Sequence, residues 1–527
     1  LAVEMCCKVI FFAVIFVSFY SVVENASILA LFPSLSFADQ SVFTGYISLL
    51  AQRGHNIILM TPYPGQFGLP EVERIVELNV GEESAPYWEE YKKLITDKDD
   101  YYPHMKAINE LNVKLVVAQL KSKAMTALLA NPHVKFDLVV TDAENPILYA
   151  LADKYKAPHI AITTGSGSIN QFEFKGVPVD PTLYLDVNSL YHRNISQWQK
   201  LVEINRHVQT RNEYYNNYLP LCEIAAKKLF AVKSNLLTLE KNMDMLFVAN
   251  NPLLIGSRPS SPAVAYVDRL HVKPGLQLPE DLKQLLDTNT KGVIYFSMGA
   301  IQEPEHLSVK ILQTLADAFK ELPHLVLWKI ANSTMIKTSE NVVTSAWFPQ
   351  QKILAHPNVK LFITHGGARS LEEAVFYETP IVGLPIIKSR KVFIEEVTKH
   401  GAGEILDLYY LEKEKTKEVL TAVVKNEDYK KAIIKLKNQI FDPVISGPEH
   451  AILWTEYVLR NGGARILQSP TADYSILRYL SADVLFIISV SIIFFLLLSY
   501  FLLRYIIRRI RLWILSKYDS SGKFKAL

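Results

Sequence analysis

Short apolar, β-branched runs alternate with helical segments along most of the chain, and this alternation constrains the fold more than any other feature. In the first half such runs include Ile28–Phe32, Asn56–Thr61, Asp137–Thr141 and His159–Thr163. In the second half they include Val293–Ser297, Leu325–Ile330, Val342–Ala346, Lys360–Thr364 and Ile381–Leu384. Continuous apolar strands separated by helices are typical of parallel sheets covered on both faces. The pattern therefore predicts an α/β protein.

One stretch rich in proline, glycine and serine, residues 256–290, interrupts the alternation. A chain of 527 residues is also too long for one ordinary domain. We therefore predict a first α/β domain at 27–275, a linker at 276–290 and a second α/β domain at 291–468 that ends in a closing helix. Ligands of open α/β sheets bind beyond the carboxyl ends of the strands, so two facing domains predict a cleft.

The N-terminal residues 1–26 have the pattern of a secretory signal peptide. Lys8 precedes an apolar run at Val9–Phe19, and small residues follow up to Ala26. Cys6 and Cys7 fall inside this leader, which leaves Cys222 as the third cysteine of the chain. One cysteine cannot form an internal bridge, so we expect a fold without disulfides.

The stretch Val484–Leu503 contains 20 residues and no charge. A helix of this length covers about 30 Å, which is enough to cross a bilayer. A basic segment at 504–527 follows it, and residues 469–483 precede it as a juxtamembrane segment. Because positive charge favours the cytoplasmic side, we expect a single-pass type I protein with a lumenal body and a cytoplasmic tail.

The tail ends with Lys523 and Lys525. These lysines resemble a dilysine retrieval signal of endoplasmic reticulum membrane proteins, and the alternative is an ordinary basic tail on an anionic leaflet. Asn194 and Asn332 begin Asn-x-Ser/Thr patterns that a lumenal body would expose to glycosylation. The net charge of +3 is too small to suggest a nucleic-acid partner.

One strand at 360–364 is followed by His365-Gly366-Gly367 and then by a segment with strong helical propensity. Paired glycines allow the backbone to approach a ligand closely, and free N–H groups at a helix start attract phosphate. No Cys/His cluster has the spacing of a zinc site, so we expect no metal at this position.

The residues around this motif extend the pattern: Trp347-Phe348-Pro349-Gln350-Gln351, Ala355-His356-Pro357, Ser370-x-x-Glu373 and Pro380-x-x-Gly383-x-Pro385. The combined pattern resembles the signature of the UDP-glycosyltransferases, in particular their animal, insect-like, signal-anchored members. The resemblance covers nearly the whole chain. It implies two Rossmann-like domains that face a cleft, the GT-B glycosyltransferase fold, plus one C-terminal transmembrane helix.

The resemblance also implies roles for single residues. Trp347 would stack on uracil, Gln350 would hydrogen-bond it, and Glu373 would bind the ribose hydroxyls. The diphosphate would be held by His365, Gly367, Ser370 and Ser297. The implied reaction is inverting transfer of a hexosyl group, with glucose favoured, from a UDP-sugar to a small lipophilic acceptor. The first domain would bind that acceptor through Phe/Tyr-rich segments around residues 63–110 and 170–220. It would need neither a metal nor a cofactor.

The chain departs from the family at the catalytic base. Asp142, at the end of a predicted strand, matches the aspartate that orients the family's histidine base. Asp39 stands where that histidine is expected. Two interpretations stay open: Asp39 caps the helix predicted at 41–53, or it acts as a carboxylate base. Repulsion between two close aspartates would raise one pKa and improve its basicity.

A second departure lies at Ser389-Arg390, where the family has an Asp-Gln pair that binds the hydroxyls of the transferred sugar. Arg390 would favour an acidic sugar, contact a phosphate, or remain a solvated arginine, and the sequence leaves these alternatives open.

Three functions are consistent with these residues. The first is an active UDP-glycosyltransferase with catalytic Asp39 and Asp142. The second is a UDP-binding pseudoenzyme that serves as a partner subunit, in a homo- or hetero-oligomer. The third is a lumenal protein that binds lipophilic molecules. We favour the first, because the UDP-binding pattern is retained almost whole.

Overall fold

The computed structural model describes residues 25–68, 72–96, 101–177, 179–184, 195–273, 275–299, 307–331, 334, 336–441, 445–474, 478 and 481–517. Most of the expected signal peptide, the two asparagines of the glycosylation patterns (Asn194 and Asn332) and the two tail lysines lie outside these ranges. The chain divides into two compact units, the first ending at Ser469 and the second beginning at Pro470.

Two parallel sheets form the first unit. The strands of the first sheet are β1 (Ser27–Leu31), β2 (Asn56–Thr61), β3 (Ile75–Asn79), β4 (Leu138–Asp142), β5 (His159–Thr163), β6 (Met245–Val248) and β7 (Val264–Tyr266). The strands of the second are β8 (Val293–Ser297), β9 (Leu325–Lys329), β10 (Val342–Ser345), β11 (Val359–Thr364), β12 (Ile381–Gly383) and β13 (Gly403–Ile405). The strand orders are β3-β2-β1-β4-β5-β6-β7 and β10-β9-β8-β11-β12-β13.

Helices cover both faces of each sheet. In the first half they are α1 (Phe37–Gln52), α2 (Gly81–Ser84), α3 (Trp88–Thr96), α4 (Tyr101–Leu120), α5 (Lys123–Ala130), α6 (Tyr149–Tyr155), α7 (Ile169–Glu173), α8 (Gln197–Glu213), α9 (Leu219–Phe230), α10 (Leu236–Asn242) and α11 (Pro252–Ile255). Further along they are α12 (Glu280–Thr288), α13 (Val309–Lys320), α14 (Gln350–Leu354), α15 (Ala368–Phe376), α16 (Lys388–Thr398), α17 (Lys413–Lys425), α18 (Glu427–Ile440), α19 (Gly447–Asn461) and α20 (Ala482–Lys517).

The parallel α/β architecture confirms the fold class that the sequence predicts. Each of the nine strands indicated by the apolar runs is present, with its ends shifted by at most one residue. The two central strands β1 and β4 show why: they pair in parallel, Ile28 against Leu138 and Leu31 against Thr141, and their apolar side chains are buried. Strands with this burial on both faces produce continuous apolar runs in the sequence.

The passage at 256–290 is more structured than the predicted linker. Strand β7 completes the first sheet within it, and α12 occupies most of the segment predicted at 276–290. Leu286 of α12 is fully buried in a cluster that also contains Val264 of β7 and Tyr295 of β8. The two α/β halves therefore share one hydrophobic core at this point.

The closing helix α19 packs on the first sheet, although it follows the second one in the chain. Thr455 and Tyr46 share a hydrogen bond of 2.6 Å between their hydroxyl oxygens, and Ile452 and Val458 belong to the same buried cluster as Ile28. The chain thus crosses back to the first half before it leaves the unit. This return ties the two halves together.

The second unit contains α20, a helix of 36 residues whose most apolar window has a mean hydropathy of 2.7. It extends past both ends of the predicted stretch at 484–503 and includes the arginines that follow. Length and composition make it a candidate membrane span.

Candidate active site

A cavity of about 550 Å³ lies between the two α/β halves, at the carboxyl ends of the strands. Ser297 at the end of β8 and His365 directly after β11 line one side, and residues from the start of α1 line the other. The residues predicted to bind the UDP-sugar that line it are Ser297, Trp347, Gln350, His365, Gly367, Ser370, Glu373 and Arg390, and the predicted catalytic residue Asp39 lines it as well. Parallel strands end at the same sheet edge, which brings these distant residues together.

Trp347 presents an aromatic face to the cavity. Its side chain is 55% exposed, and its ring meets Phe37 of α1 edge-on with 5.2 Å between ring centroids. The Nζ atom of Lys329 lies 5.1 Å from the ring centroid. An accessible indole held between a second ring and a cation is suited to stacking on a planar base.

Glu373 is a buried carboxylate held by two amides. Gln350 Nε2 donates to Oε2 at 2.7 Å, and Gln351 Nε2 donates to Oε1 at 3.0 Å. Gln350 Nε2 also donates to Ser370 Oγ at 3.1 Å. The geometry assigns Gln350 to orienting Glu373, whereas its predicted contact with uracil remains a prediction.

His271 supports the same carboxylate from behind. Its Nε2 lies 3.4 Å from Glu373 Oε1, and its Nδ1 lies 3.6 Å from Oε2 of the neighbouring Glu372. Glu372 in turn accepts hydrogen bonds from Arg269 N at 2.9 Å and Arg369 Nη1 at 3.1 Å. Residues at the end of the first half therefore lie directly behind Glu373, the carboxylate that is predicted to bind ribose.

His365 is buried against glycine backbone. A Cβ atom on Gly299 would lie 2.6 Å from its ring, and one on Gly367 would lie 2.9 Å from it. Gly299 also has a φ of +94°, so both its conformation and the space around it require glycine. Burial, reinforced by the charges of Arg390 and Lys329, lowers the pKa of His365 to about 3. The imidazole is therefore neutral at physiological pH.

Helix α15 begins at the edge of the cavity. Gly367 is its N-cap, and Gly366 before it has a φ of +88°. No acidic residue occupies the first turn, and Ser370 in that turn lines the cavity. Free N–H groups, a hydroxyl and a neutral imidazole together form a suitable environment for a diphosphate.

Asp39 lies in the first turn of α1 and not at its cap. The helix begins at Phe37, and Ser36 is the N-cap, accepting a hydrogen bond from Asp39 N at 3.2 Å. The N-cap interpretation of Asp39 is therefore wrong: a serine three residues earlier already satisfies the helix start. Ser34 Oγ donates to Asp39 Oδ2 at 3.0 Å, and the half-buried carboxylate lines the cavity.

Asp142 is buried and does not line the cavity. Its oxygens accept hydrogen bonds from Glu144 N and Asn145 Nδ2, each at 2.9 Å. Burial, together with the charges of Glu144 and Asp39, raises the pKa of Asp142 well above its ordinary value. The carboxylate of Asp142 is thus already engaged by its own loop.

Arg390 projects into the cavity from α16. The residue is half-buried, and Nε is a buried donor without a hydrogen-bond partner. Burial lowers the pKa of its guanidinium, whereas Asp39 and Tyr91 raise it. Arg390, which is predicted to contact the sugar, and Asp39, which is predicted to act as the base, therefore line the same cavity. The side chain of Ser389 lies outside the described part of the structure.

Comparison with known proteins bears on this arrangement. The family profile described as "UDP-glucoronosyl and UDP-glucosyl transferase" matches residues 44–511. The chain belongs to this family. The match covers both α/β halves and the apolar helix, so this UDP-glycosyltransferase carries the family pattern along nearly its full length.

Relatives of this UDP-glycosyltransferase come from insects, insect viruses and mammals. An ecdysteroid UDP-glucosyltransferase of Spodoptera littoralis nuclear polyhedrosis virus is 26% identical over 460 residues, covering 83% of this chain and 88% of the relative. The UDP-glycosyltransferase UGT5 of Dactylopius coccus is 28% identical over 514 residues, 94% of each chain. UDP-glucuronosyltransferase 2C1 of Oryctolagus cuniculus is 32% identical over 228 residues, 43% of this chain and 45% of the relative. The expected animal, insect-like membership is confirmed.

Solved glycosyltransferases share the fold. The calicheamicin glycosyltransferase CalG4 has a TM-score of 0.54 at 17% identity, covering 83% of this chain and 99% of its own. The spinosyn forosaminyltransferase SpnP has a TM-score of 0.54 at 15% identity, with coverages of 83% and 100%. Both comparisons confirm the predicted GT-B fold of two facing domains.

Several cavity residues of this UDP-glycosyltransferase escaped the sequence analysis. Lys329 ends β9 and donates to Gly299 O at 2.6 Å, and Phe37 lines the cavity in contact with Trp347. The position of Lys329 at a strand end was an available signal, because ligand-contacting residues concentrate there. Phe37 has no such signal in the sequence. Tyr91 of α3, which also lines the cavity, was indicated only as part of the Phe/Tyr-rich segment at 63–110.

Proposed function

We propose that this UDP-glycosyltransferase moves a hexosyl group, with glucose favoured, from a UDP-sugar to a small lipophilic acceptor, with inversion and without a metal or other cofactor. One observation carries the proposal. Glu373 is buried at the cavity wall and held by both Gln350 and Gln351, beside the accessible face of Trp347. A preorganised carboxylate next to an aromatic face suits a ribose diol attached to a base.

The leaving group would be bound by neutral donors. His365, uncharged because burial holds its pKa at about 3, would donate an N–H to the diphosphate together with Ser370 and the α15 backbone. Lys329 and Arg390 would supply positive charge on either side. Such donors stabilise the charge that develops on UDP as the bond between the sugar and the diphosphate oxygen breaks.

The acceptor would attack from the side of α1. Its hydroxyl oxygen forms the new bond to the anomeric carbon on the face opposite UDP, which inverts the configuration. The proton lost by the acceptor would pass to Asp39, whose carboxylate lines the cavity. A carboxylate is a weak base at neutral pH, so acidic hydroxyls such as phenols suit it best.

An aromatic wall favours a lipophilic acceptor. Phe37 stacks on Phe67 with 4.7 Å between ring centroids, and Tyr91 lines the same cavity. Phe67 and Tyr91 belong to the segment at 63–110 that the sequence indicates for acceptor binding. The second indicated segment, at 170–220, contributes no described residue to the cavity lining.

The names of several relatives support the donor and the acceptor class. The viral and Dactylopius coccus relatives include UDP-glucosyltransferases, and the viral enzymes are named for ecdysteroids. These names describe UDP-dependent glucosyl transfer, in the viral enzymes to ecdysteroids. We propose the same class of reaction here.

We further propose that α20 anchors the enzyme in the endoplasmic reticulum membrane as a type I protein, with the first unit in the lumen. Its window of 18 residues with mean hydropathy 2.7 is apolar enough to span the bilayer, and Arg504, Arg508, Arg509 and Arg511 follow the apolar stretch. Positive charge of this kind favours the cytoplasmic side. Protease protection of the first unit in sealed microsomes tests the orientation.

The test of the activity is calorimetric binding of UDP, UDP-glucose and UDP-glucuronic acid to the full chain in detergent, followed by transfer to phenolic acceptors with and without EDTA. We expect UDP-glucose to bind and to be turned over equally well with EDTA present. Loss of turnover with EDTA would contradict the metal-free reaction. Binding of bare UDP alone, without turnover of any UDP-sugar, would instead support the pseudoenzyme.

A further inference from the structure

A buried arginine crosses between the two α/β halves at the cavity. Arg369 lies on α15 of the second half and is 8% exposed. Its Nη2 donates to Thr164 O at 3.2 Å, and its Nη1 donates to Ala249 O at 2.5 Å. Thr164 directly follows β5 and Ala249 directly follows β6, two strands that pair in the first sheet. One guanidinium from the second half therefore binds the carboxyl ends of two strands of the first half.

The carbonyl groups that accept from Arg369 are braced by their own half. Asn250 Nδ2 also donates to Thr164 O, at 3.2 Å. Thr163 Oγ1 donates to Glu144 Oε1 at 3.0 Å, which ties the end of β5 to the loop that follows β4. Arg369 thus binds a fixed edge of the first sheet, and Thr164 at that edge lines the cavity.

The charge of Arg369 is balanced by a buried glutamate on the same helix. Arg369 Nη1 lies 3.1 Å from Oε2 of the fully buried Glu372. A buried ion pair is stable when its remaining donors and acceptors also have partners. The carbonyls of Thr164 and Ala249 supply such partners, so the pair is complete when the two halves are together.

The planar fork of the guanidinium suits this arrangement. Nη1 lies between Ala249 O and Glu372, whereas Nη2 reaches Thr164 O on the neighbouring strand. A guanidinium presents five N–H donors in one rigid plane, and an ammonium presents three on a single nitrogen. Arg369→Lys would therefore keep the charge beside Glu372 but lose the simultaneous contact with both strands.

Arg369 stands in the first turn of α15, beside the residues predicted to bind the diphosphate. Gly367 is the N-cap of this helix, and Ser370 is the next residue, whose side chain lines the cavity. A cation at a helix N-terminus opposes the helix dipole, so arginine does not stabilise this helix start. The favourable contacts of Arg369 lie instead in the first half, and they set where the start of α15 stands relative to that half.

The edge that Arg369 binds also carries the proposed acceptor side of the cavity. Strands β1, β4, β5 and β6 are neighbours in one parallel sheet, so their carboxyl ends lie along one edge. Helix α1 follows β1, and its Asp39 lines the same cavity as Thr164. Arg369 therefore links the start of α15 to the edge from which an acceptor would attack.

We propose that Arg369 is a positioning residue for transfer, because it holds the start of α15 at a fixed distance from the first half. This rests on the proposed glycosyl transfer. In that reaction the acceptor oxygen bonds to the anomeric carbon, and the bond from this carbon to the diphosphate oxygen breaks with its electron pair on UDP. The acceptor proton passes to Asp39. A misplacement of about 1 Å is enough to slow such a step on the order of 100-fold.

A shift between the halves would also admit water in place of the acceptor. The oxygen of water would then bond to the anomeric carbon, and free sugar and UDP would be released. Arg369 is thus expected to control the fraction of broken UDP-sugar that becomes glycoside. This fraction separates a positioning role from a role in holding UDP.

The test measures transfer and loss of sugar to water side by side. The full chain in detergent receives UDP-glucose and a phenolic acceptor, and glucoside, free glucose and UDP are quantified. We expect Arg369→Lys to lower kcat for the glucoside roughly 10- to 100-fold, while the Kd for UDP changes less than about twofold. The glucoside formed per UDP released should fall. Arg460→Lys is the control, because Arg460 pairs with Glu456 on α19 and is partly exposed.

Chemical rescue gives a second measurement. Arg369→Ala leaves a space beside the cavity that a guanidinium ion can enter, because Arg369 lines the cavity. Millimolar guanidinium chloride should restore part of the glucoside formed per UDP released in Arg369→Ala. Sodium chloride at the same concentration should restore none, and Arg369→Lys should not respond because its side chain still fills the space.

Other outcomes overturn the proposal. A loss of activity that is matched by the loss of UDP affinity, with unchanged glucoside per UDP, assigns Arg369 to the diphosphate itself. Kinetics of Arg369→Lys that equal those of the parent show that the fork is not needed, whether or not Arg369→Ala folds. If Arg369→Ala folds and guanidinium restores nothing, the contacts with the first half do not serve transfer. A parent chain that forms no glucoside with any acceptor removes the proposed function, and this failure is visible before any variant is compared.

Discussion

Gln350 and Glu373 are joined by a hydrogen bond of 2.7 Å from the amide Nε2 to the carboxylate Oε2, inside the cleft between the two α/β halves. Gln351 holds the other carboxylate oxygen, and His271 lies behind it. The carboxylate is thereby fixed before any ligand arrives. Preorganisation of this kind lowers the entropic cost of binding a diol.

Replacing Glu373 with glutamine should weaken UDP binding. The substitution keeps the size of the side chain but removes the charged acceptor, and a hydrogen bond to a charged group contributes about 1.5–3 kcal/mol. We expect the Kd for UDP, measured by calorimetry, to rise roughly 10- to 100-fold. Glu418→Gln on the exposed surface of α17 is the control and should leave the Kd unchanged. An unaltered Kd in Glu373→Gln would exclude its ribose role.

Replacing Asp39 with asparagine should reduce turnover without changing the affinity for UDP. The substitution preserves an oxygen that accepts from Ser34 and leaves the cap at Ser36 intact. Loss of a general base costs about 100-fold or more in kcat. Steady-state kinetics with a phenolic acceptor and with an aliphatic alcohol measure this loss in kcat. The loss should be greater for the aliphatic alcohol, which is the less acidic of the two.

Asp39→His provides the reverse experiment. It introduces the histidine base that the resemblance to the family leads us to expect at this position, and it should raise kcat for the aliphatic alcohol relative to Asp39→Asn. Equal rates in the parent, Asp39→Asn and Asp39→His would show that Asp39 takes no part in proton transfer.

Replacing Arg390 with glutamine should change donor preference. The guanidinium faces the cavity with an unpaired Nε, so a carboxylate on the sugar would find a partner there that glutamine cannot supply. We expect the ratio of kcat/KM for UDP-glucuronic acid to that for UDP-glucose to fall roughly tenfold. Lys391→Gln, on the same helix and partly exposed, controls for general loss of charge. A ratio that does not move would assign Arg390 to another role.

Acid should destabilise the first unit through its buried histidines. Burial lowers the pKa of His159 to about 3, against 6.5 for the free side chain. The unfolded chain therefore takes up a proton as the pH falls below about 6.5, whereas the folded chain does so only near 3. The free energy of unfolding should fall by about 1.4 kcal/mol per pH unit in this window.

Thermal unfolding at pH 7 and pH 5 measures this effect. His159→Gln, which keeps a polar partner for Thr141, should show a smaller drop in Tm between the two pH values than the parent. His133→Gln at an exposed position should show the same drop as the parent. A larger drop in His159→Gln would contradict the assignment.

Much of the fold and of the donor site is predictable from the sequence because each depends on local patterns. Strands β1 and β4 are buried on both faces, and such burial leaves a continuous apolar run that can be recognised directly. His365, Ser370 and Glu373 follow one strand within nine residues, so the turn and the first helical turns place them together without knowledge of the rest of the chain.

Short strands at the sheet edges were harder to predict from the sequence. Strand β3 is partly exposed and carries Glu77 and Asn79, and β7 and β13 contain three residues each. Too few residues and too little burial leave no clear periodicity in such segments. The helix α12 inside the predicted linker was not predicted for a related reason, because the surrounding prolines and glycines dominate the composition of that stretch.

By itself, the sequence determined the α/β class, the apolar helix and the glycine-rich turn at 365–367, and it led to the predictions that this turn binds a diphosphate and that Asp39 replaces a histidine base. Only the tertiary structure decided that Asp39 and Arg390 line the same cavity, that Gln350 orients Glu373, and that His365 is neutral. These relationships join residues far apart in the chain, and they depend on burial and on distances between side chains. Local patterns do not encode such quantities, because they arise only when the two sheets pack.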